Sequence, residues 1–132
     1  RVLVVDDHPL LRLALIDALI GQGYECYGAE HGLAALSLLS TTPVDLVVTD
    51  LSMPQMGGME LLVRMGMSPA TQSIPVVVVT ADLSDELWLR LLSAGAKAVV
   101  ARSVRPDDVL SAVRAVVLDT APAAKTIRTQ SL

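Results

Sequence analysis

Phenylalanine is absent from this sequence, and aromatic residues make up only 2% of it. With 52% of the chain apolar, the core has to be built from Val, Leu, Ala, Ile and Met, and so high a content excludes disorder over most of the length. A chain of 132 residues fits one domain that buries roughly two-thirds of its unfolded surface. Long apolar runs are missing as well. Stretches such as Ile74 to Val79 are cut by proline or charge, well short of the roughly 20 residues a membrane span requires, so a soluble domain without membrane insertion is expected. Positive charge is in the minority: 10 Lys and Arg face 14 Asp and Glu, net −4. That leaves no electrostatic footprint for a phosphate backbone and argues against direct nucleic acid binding. The single cysteine, Cys26, cannot form an internal disulfide; it reads as a core residue of a strand and suits a reducing, cytoplasmic setting. No signal peptide opens the chain, which starts at Arg1 rather than Met, so the N-terminus reads as trimmed.

What the chain does contain is a regular alternation of buried strands and amphipathic helices. Val2 to Val5 is an apolar run ending in Asp6 and Asp7, and Pro9 stands where a first helical turn begins. Leu10 to Ile20 repeats apolar residues at helical spacing, closes at Gly21 and Gly23, and leads to a short strand at Tyr24 to Gly28. A second helix spans Gly32 to Leu39. Leu46, Val47 and Val48 then form an apolar run without polar alternation, the pattern of a parallel strand covered on both faces, and it stops at Asp50. Met53, Pro54, Gly57 and Gly58 make the exit a loop, and Met59 to Met67 reads as a short helix ended by Ser68 and Pro69. Ile74 to Val79 is the next strand, ending at Thr80. Ser84 caps a helix that runs to Ala94, with Gly95 just past its end. Ala98 to Ala101 is a fifth strand, and Pro106 opens a last helix at its first position, with Asp107 and Asp108 in the first turn, fading near Leu118.

Five such βα units imply an α/β fold, a doubly wound parallel sheet with helices on both faces joined by right-handed crossovers. Residues 1–119 form this domain. Residues 120–132 lose apolar periodicity and mix Pro, Thr, Ser and Gln, the composition of a tail or the start of a linker.

Four strand ends carry polar residues: Asp6 and Asp7, Asp50, Thr80 and Arg102. In a parallel sheet these share one edge, where ligands bind. If the first and third strands are neighbours, three carboxylates converge, and their repulsion raises pKa values unless a cation neutralises them. A hard divalent ion is the natural partner. Mg²⁺ takes one or two carboxylates plus waters and phosphate oxygens, so the site suits phosphoryl chemistry. One carboxylate remains as nucleophile, Arg102 offsets negative oxygens, and the Thr80 hydroxyl donates a hydrogen bond.

The segments VLVVDDHPL, DLVVTDLSMPQMGGMELL, IPVVVVTA and AGAKAVVAR give the chain a specific likeness. From Val2 to Leu118 it resembles the receiver domain of two-component response regulators and hybrid histidine kinases. The resemblance implies a flavodoxin-like five-stranded sheet in the order 2-1-3-4-5. It implies that Asp50 accepts a phosphoryl group from a histidine kinase or phosphotransfer protein and that the domain then acts as a conformational switch, a signalling domain rather than an enzyme. Asp7 and Asp50 would ligate Mg²⁺, Asp6 would act through water, and the Ser52 carbonyl would complete the protein ligands. Thr80 would turn toward the new group. The face formed by the fourth helix, fifth strand and fifth helix would meet an output domain or a second copy. Two positions depart from the family: Arg102 stands at its usual lysine, with Ser103 where a proline often follows, and Val99 stands where a switching aromatic is frequent. Arginine keeps the charge but is forked and longer.

Plainer readings exist for single residues. Asp6 and Asp7 suit a helix N-cap, but that leaves Asp50 unexplained. Arg102 has an alternative partner in Asp82. His8 reads as a loop or cap residue outside the site, and His31 as a helix start. The five methionines read as core or loop packing, and Trp88 divides between burial and an interaction face. Two other functions compete with the switch. One is a phosphorylation-independent interaction module on the same fold. The other is a haloacid-dehalogenase-like phosphohydrolase, disfavoured because Ser52 stands where that family has a second Asp. A dinucleotide-binding domain is weaker still, because no Gly-rich turn follows the first strand.

Overall fold

The computed structural model describes residues 1–82, 84–102, 105–119 and 127–129. Strand β1 (Val2–Val5) leads to helix α1 (Pro9–Gly21), β2 (Cys26–Ala29), α2 (Gly32–Leu39), β3 (Leu46–Asp50), α3 (Gly58–Gly66), β4 (Val76–Thr80), α4 (Asp85–Ala94), β5 (Ala98–Ala101), α5 (Asp107–Leu118) and β6 (Ile127–Thr129). The sheet order is β2-β1-β3-β4-β5-β6. All pairings through β5 are parallel and β6 runs antiparallel. The doubly wound α/β architecture and its 2-1-3-4-5 order are thus as expected, with one strand more than the five foreseen. That sixth strand lies within the stretch read as tail; the rest of it, 120–126 and 130–132, lies outside the described residues.

Alternate strand residues face opposite ways, so each strand supplies two cores. Leu3, Val5, Val47, Val76, Val78 and Val99 pack under α2, α3 and α4 with Ala35, Leu61, Met65 and Leu91. On the other face Val2, Val4, Leu46, Val48, Val77 and Val100 meet Leu19 of α1 and Val109, Ala112 and Val113 of α5. Val, Leu and Ala fill both, with Met in the first only, as the lack of Phe requires. Cys26 is partly buried and packs at the edge of the second core. Met56 and Met65 are buried, whereas Met67 is 79% exposed, so packing does not account for every methionine. Trp88 is buried, at 9% exposure.

Helix ends follow local chemistry. The Ser84 hydroxyl accepts from the Leu87 N–H and caps α4, and Gly95 ends it at φ 106°, where a side chain would be strained. His31 caps α2 through its ring nitrogen, which accepts from the Ala34 N–H at 3.1 Å. At α5, Pro106 occupies the cap rather than the first helical position. At α1 the cap is His8, with Pro9 behind it; neither Asp6 nor Asp7 is the cap residue.

Candidate functional site

The carboxyl ends of β1 and β3 lie side by side because Val5 pairs with Thr49, which carries Asp6, Asp7 and Asp50 to one edge. Carboxylate and imidazole atoms of Asp6, Asp7, His8 and Asp50 all fall within 4.8 Å of one another. Asp50 is 3% exposed. Its Oδ1 accepts a short hydrogen bond from the Arg102 guanidinium, while its Oδ2 is buried without a hydrogen-bond partner, as is Asp7 Oδ1. Buried carboxylate oxygens without donors are costly, and a cation held between them removes that cost. The donor set is all oxygen apart from one imidazole nitrogen, which fits a hard divalent ion.

Desolvation pushes the Asp50 carboxyl above its usual range; Asp6 adds to the rise, and the Arg102 guanidinium pulls the other way without overcoming it. Asp50 in turn raises the Arg102 guanidinium. Arg102 therefore pairs with Asp50, and the alternative partner Asp82 is engaged elsewhere, its carboxylate accepting from the Ser84 N–H at 2.8 Å.

Thr80, at the end of β4, is buried. Its hydroxyl oxygen accepts from the Asp82 N–H at 3.1 Å, which leaves the hydroxyl proton for another acceptor. Thr80, Asp50, Ser52, Asp82 and Arg102 line one cavity of about 370 Å³. Asp6, Asp50, Arg102 and Arg105 line part of a smaller one, about 60 Å³, between α1 and α5. Asp50 and Arg102 belong to both, so the buried acid stands at the junction. Ser52 is exposed in the loop that leaves β3. That loop is held down at Gly58, where a Cβ would sit 2.5 Å from the Asp50 carbonyl oxygen and 3.0 Å from the Leu51 Cα. Ser103 lies outside the described residues.

Every candidate from the sequence therefore reaches one edge. His8 is the addition. Its Nδ1 lies 3.3 Å from Asp6 Oδ1 and 3.2 Å from Asp7 Oδ1, and the His8 backbone N–H donates to Asp6 Oδ1 at 2.9 Å. Direct adjacency to the acid pair was the only signal for it. Arg12, on α1, donates to the Asp6 carbonyl at 2.6 Å and ties that helix to the loop.

Comparison with known proteins gives the site a family. Residues 2–114 match the sequence model described as "Response regulator receiver domain". Sensor histidine kinase RcsC of Salmonella typhimurium is 40% identical over 106 residues, 80% of this chain and 11% of that protein, so the chain spans about a tenth of the length of this relative. The signal receiver domain of a signal transduction histidine kinase from Syntrophus aciditrophicus superposes with a TM-score of 0.80 at 27% identity, covering 99% of this chain and 95% of that one. Response regulator protein TrrA of Thermotoga maritima, solved in complex with Mg(2+)-BeF, gives 0.75 at 30% identity, over 86% and 96% of the two chains. With most of its length matched and its acids gathered at the carboxyl ends of β1 and β3, the chain belongs to the response regulator receiver domain family.

Proposed function

We propose that Asp50 is the phosphoacceptor of this two-component receiver domain, and that its modification switches the domain between two shapes. One observation carries the reading: a buried carboxylate with one oxygen on Arg102 and the other without a partner, beside two further acids. The Asp50 oxygen attacks phosphorus, an acyl phosphate forms, and the bond to the donor breaks; with a phosphohistidine donor the imidazole nitrogen keeps the bonding pair. Asp7, Asp50 and the Ser52 carbonyl would hold Mg²⁺, with Asp6 acting through water. Bound there, the ion supplies charge neutralisation for the transferring oxygens. Arg102 moves its fork from Asp50 to a phosphoryl oxygen, where a planar cation gives two donors. Thr80 offers its hydroxyl proton across the cavity it shares with Asp50. The phosphoryl group carries roughly −1.5 to −2 where the carboxylate carried −1, and this extra charge, with its three acceptor oxygens, is then the bias that tilts the equilibrium.

The donor is a histidine kinase or phosphotransfer protein, and the domain works by accepting and releasing the group, not by turnover of a separate substrate. The unit is residues 1–119, with 120–132 as a tail or the start of a linker. Among the described residues no helix is long and apolar enough to cross a membrane, and we assign the domain to the cytoplasm. Incubation with acetyl phosphate and Mg²⁺ should add one phosphate by mass, absent in Asp50→Asn. An unmodified wild type would sink the reading.

A second reading has its own support. Arg102 already neutralises Asp50, as a phosphorylation-independent interaction module on this fold would have it. Partner binding in that case would be unchanged by Asp50→Asn.

A further inference from the structure

His8 brings the one nitrogen donor to a cluster that is otherwise oxygen. It is the N-cap residue of α1, yet its ring makes no cap hydrogen bond, whereas the ring of His31, the other histidine, is taken up in capping α2. The turn that carries His8 is held twice: its backbone N–H donates to Asp6 Oδ1 at 2.9 Å, and Arg12 donates to the Asp6 carbonyl at 2.6 Å. The ring is thus placed among the acids by its own loop. Two arrangements suit a ring nitrogen there, a proton shared with one carboxylate or a cation shared with several. Nδ1 lies 3.3 Å from Asp6 Oδ1, within hydrogen-bond reach. It lies closer still to Asp7 Oδ1, at 3.2 Å, but that oxygen is buried without a hydrogen-bond partner. A nitrogen and an oxygen this near without a hydrogen bond stand as neighbours on a coordination sphere do. With metal–ligand bonds of about 2.0–2.1 Å, adjacent ligand atoms are ~3.0 Å apart around an octahedral ion and ~3.3 Å apart around a tetrahedral one.

Asp50 adds an independent observation. It is 3% exposed, belongs to the same cluster and keeps one oxygen without a partner, which a proton on His8 leaves unsatisfied and a shared cation does not. We propose that His8 Nδ1 is a ligand of the ion held by Asp6, Asp7 and Asp50, and that this nitrogen turns the site toward a first-row divalent transition ion such as Zn²⁺ in preference to Mg²⁺. Carboxylates, carbonyls and water suit Mg²⁺, while imidazole suits Zn²⁺ and its neighbours in the row. The His8 side chain is 55% exposed, so an ion enters from solvent on its side and keeps room for water. The inference rests on the acid cluster holding a cation, and not on Asp50 accepting a phosphoryl group.

Calorimetric titration of the full chain with zinc chloride and, separately, with magnesium chloride tests this without any phosphodonor. His8→Asn keeps a residue that suits the helix cap and removes the ring. It should weaken zinc binding by roughly tenfold to a hundredfold, the scale on which groups around a bound metal act, and change magnesium binding by less than about twofold, because Mg²⁺ prefers oxygen. Asp50→Asn should weaken both. The wild type gives a second readout that needs no variant: in long-range ¹H–¹⁵N spectra of the two imidazoles, zinc should move the Nδ1 resonance of His8 and leave that of His31 in place. A fall in zinc and magnesium affinity by the same factor in His8→Asn overturns the proposal, and so does zinc affinity indifferent to that change; in either case magnesium binding that still depends on Asp50 leaves the phosphoacceptor reading standing. Zinc that binds Asp50→Asn as well as the wild type is an adventitious ion only, and overturns it too.

Discussion

At Asp50, burial and charge compete over one proton. Its folded pKa is raised above the ordinary 3.8, by desolvation first, against the pull of Arg102. A raised folded value means that the protonated form favours folding. The stability this group contributes is fully present below 3.8 and is lost as pH rises through the raised folded value. Without magnesium, the urea midpoint of the wild type should therefore fall relative to Asp50→Asn as pH climbs from 3.8 toward neutrality; a constant difference would contradict the raised value. Protons and metal compete for the same oxygen, so magnesium affinity measured by calorimetry should decline on acidification at a higher pH than an ordinary carboxylate would give. Asp6, Asp7, Asp50, Thr80 and Arg102 could be placed at one edge from the sequence because each ends an apolar run or directly follows one. Which partner Arg102 takes was not legible, since Asp50 and Asp82 both carry the opposite charge. His8 was passed over because nothing local distinguishes a loop histidine from one whose nitrogen meets two carboxylates.

Between elements, the contact that decides the site's shape is the one between the end of β3 and the start of α3. Gly58 lets the helix backbone lie against the Asp50 carbonyl, and backbone atoms cannot swing aside as a side-chain tip does. Gly58→Ala should cost about 1–3 kcal/mol in urea unfolding and slow acetyl phosphate labelling of Asp50, because the loop carrying Ser52 must shift. A variant with wild-type stability and labelling would refute this account. Most helix boundaries were readable for a local reason: Ser84 accepts an orphan N–H and Gly95 takes a left-handed turn, both properties of single residues. β6 was not. Three residues, Ile-Arg-Thr, have no measurable period, and their strand exists only because β5 supplies the hydrogen bonds and α4 the counter-charge.

For the whole molecule, a ligand that binds only the folded chain adds its binding energy to stability. At a magnesium concentration ten times Kd the gain is about 1.4 kcal/mol, or roughly 5 °C in Tm for a domain of this size. Scanning calorimetry should find this shift in the wild type and a much reduced one in Asp7→Asn. An equal shift in both would move the ion away from the acid cluster. The alternation of apolar runs with helical periods dictated a doubly wound sheet, because a strand buried on both faces needs helices on both sides and crossovers of one hand. It also dictated which side chains stand at the carboxyl edge, because a strand's last residue is a local property. Tertiary structure alone decided that Asp50 lies in the grip of Arg102 with one oxygen left over, that His8 joins the acids, and that Ile127–Thr129 closes the sheet. Those outcomes depend on distances between residues far apart in the chain, and such distances exist only once the sheet has set its neighbours.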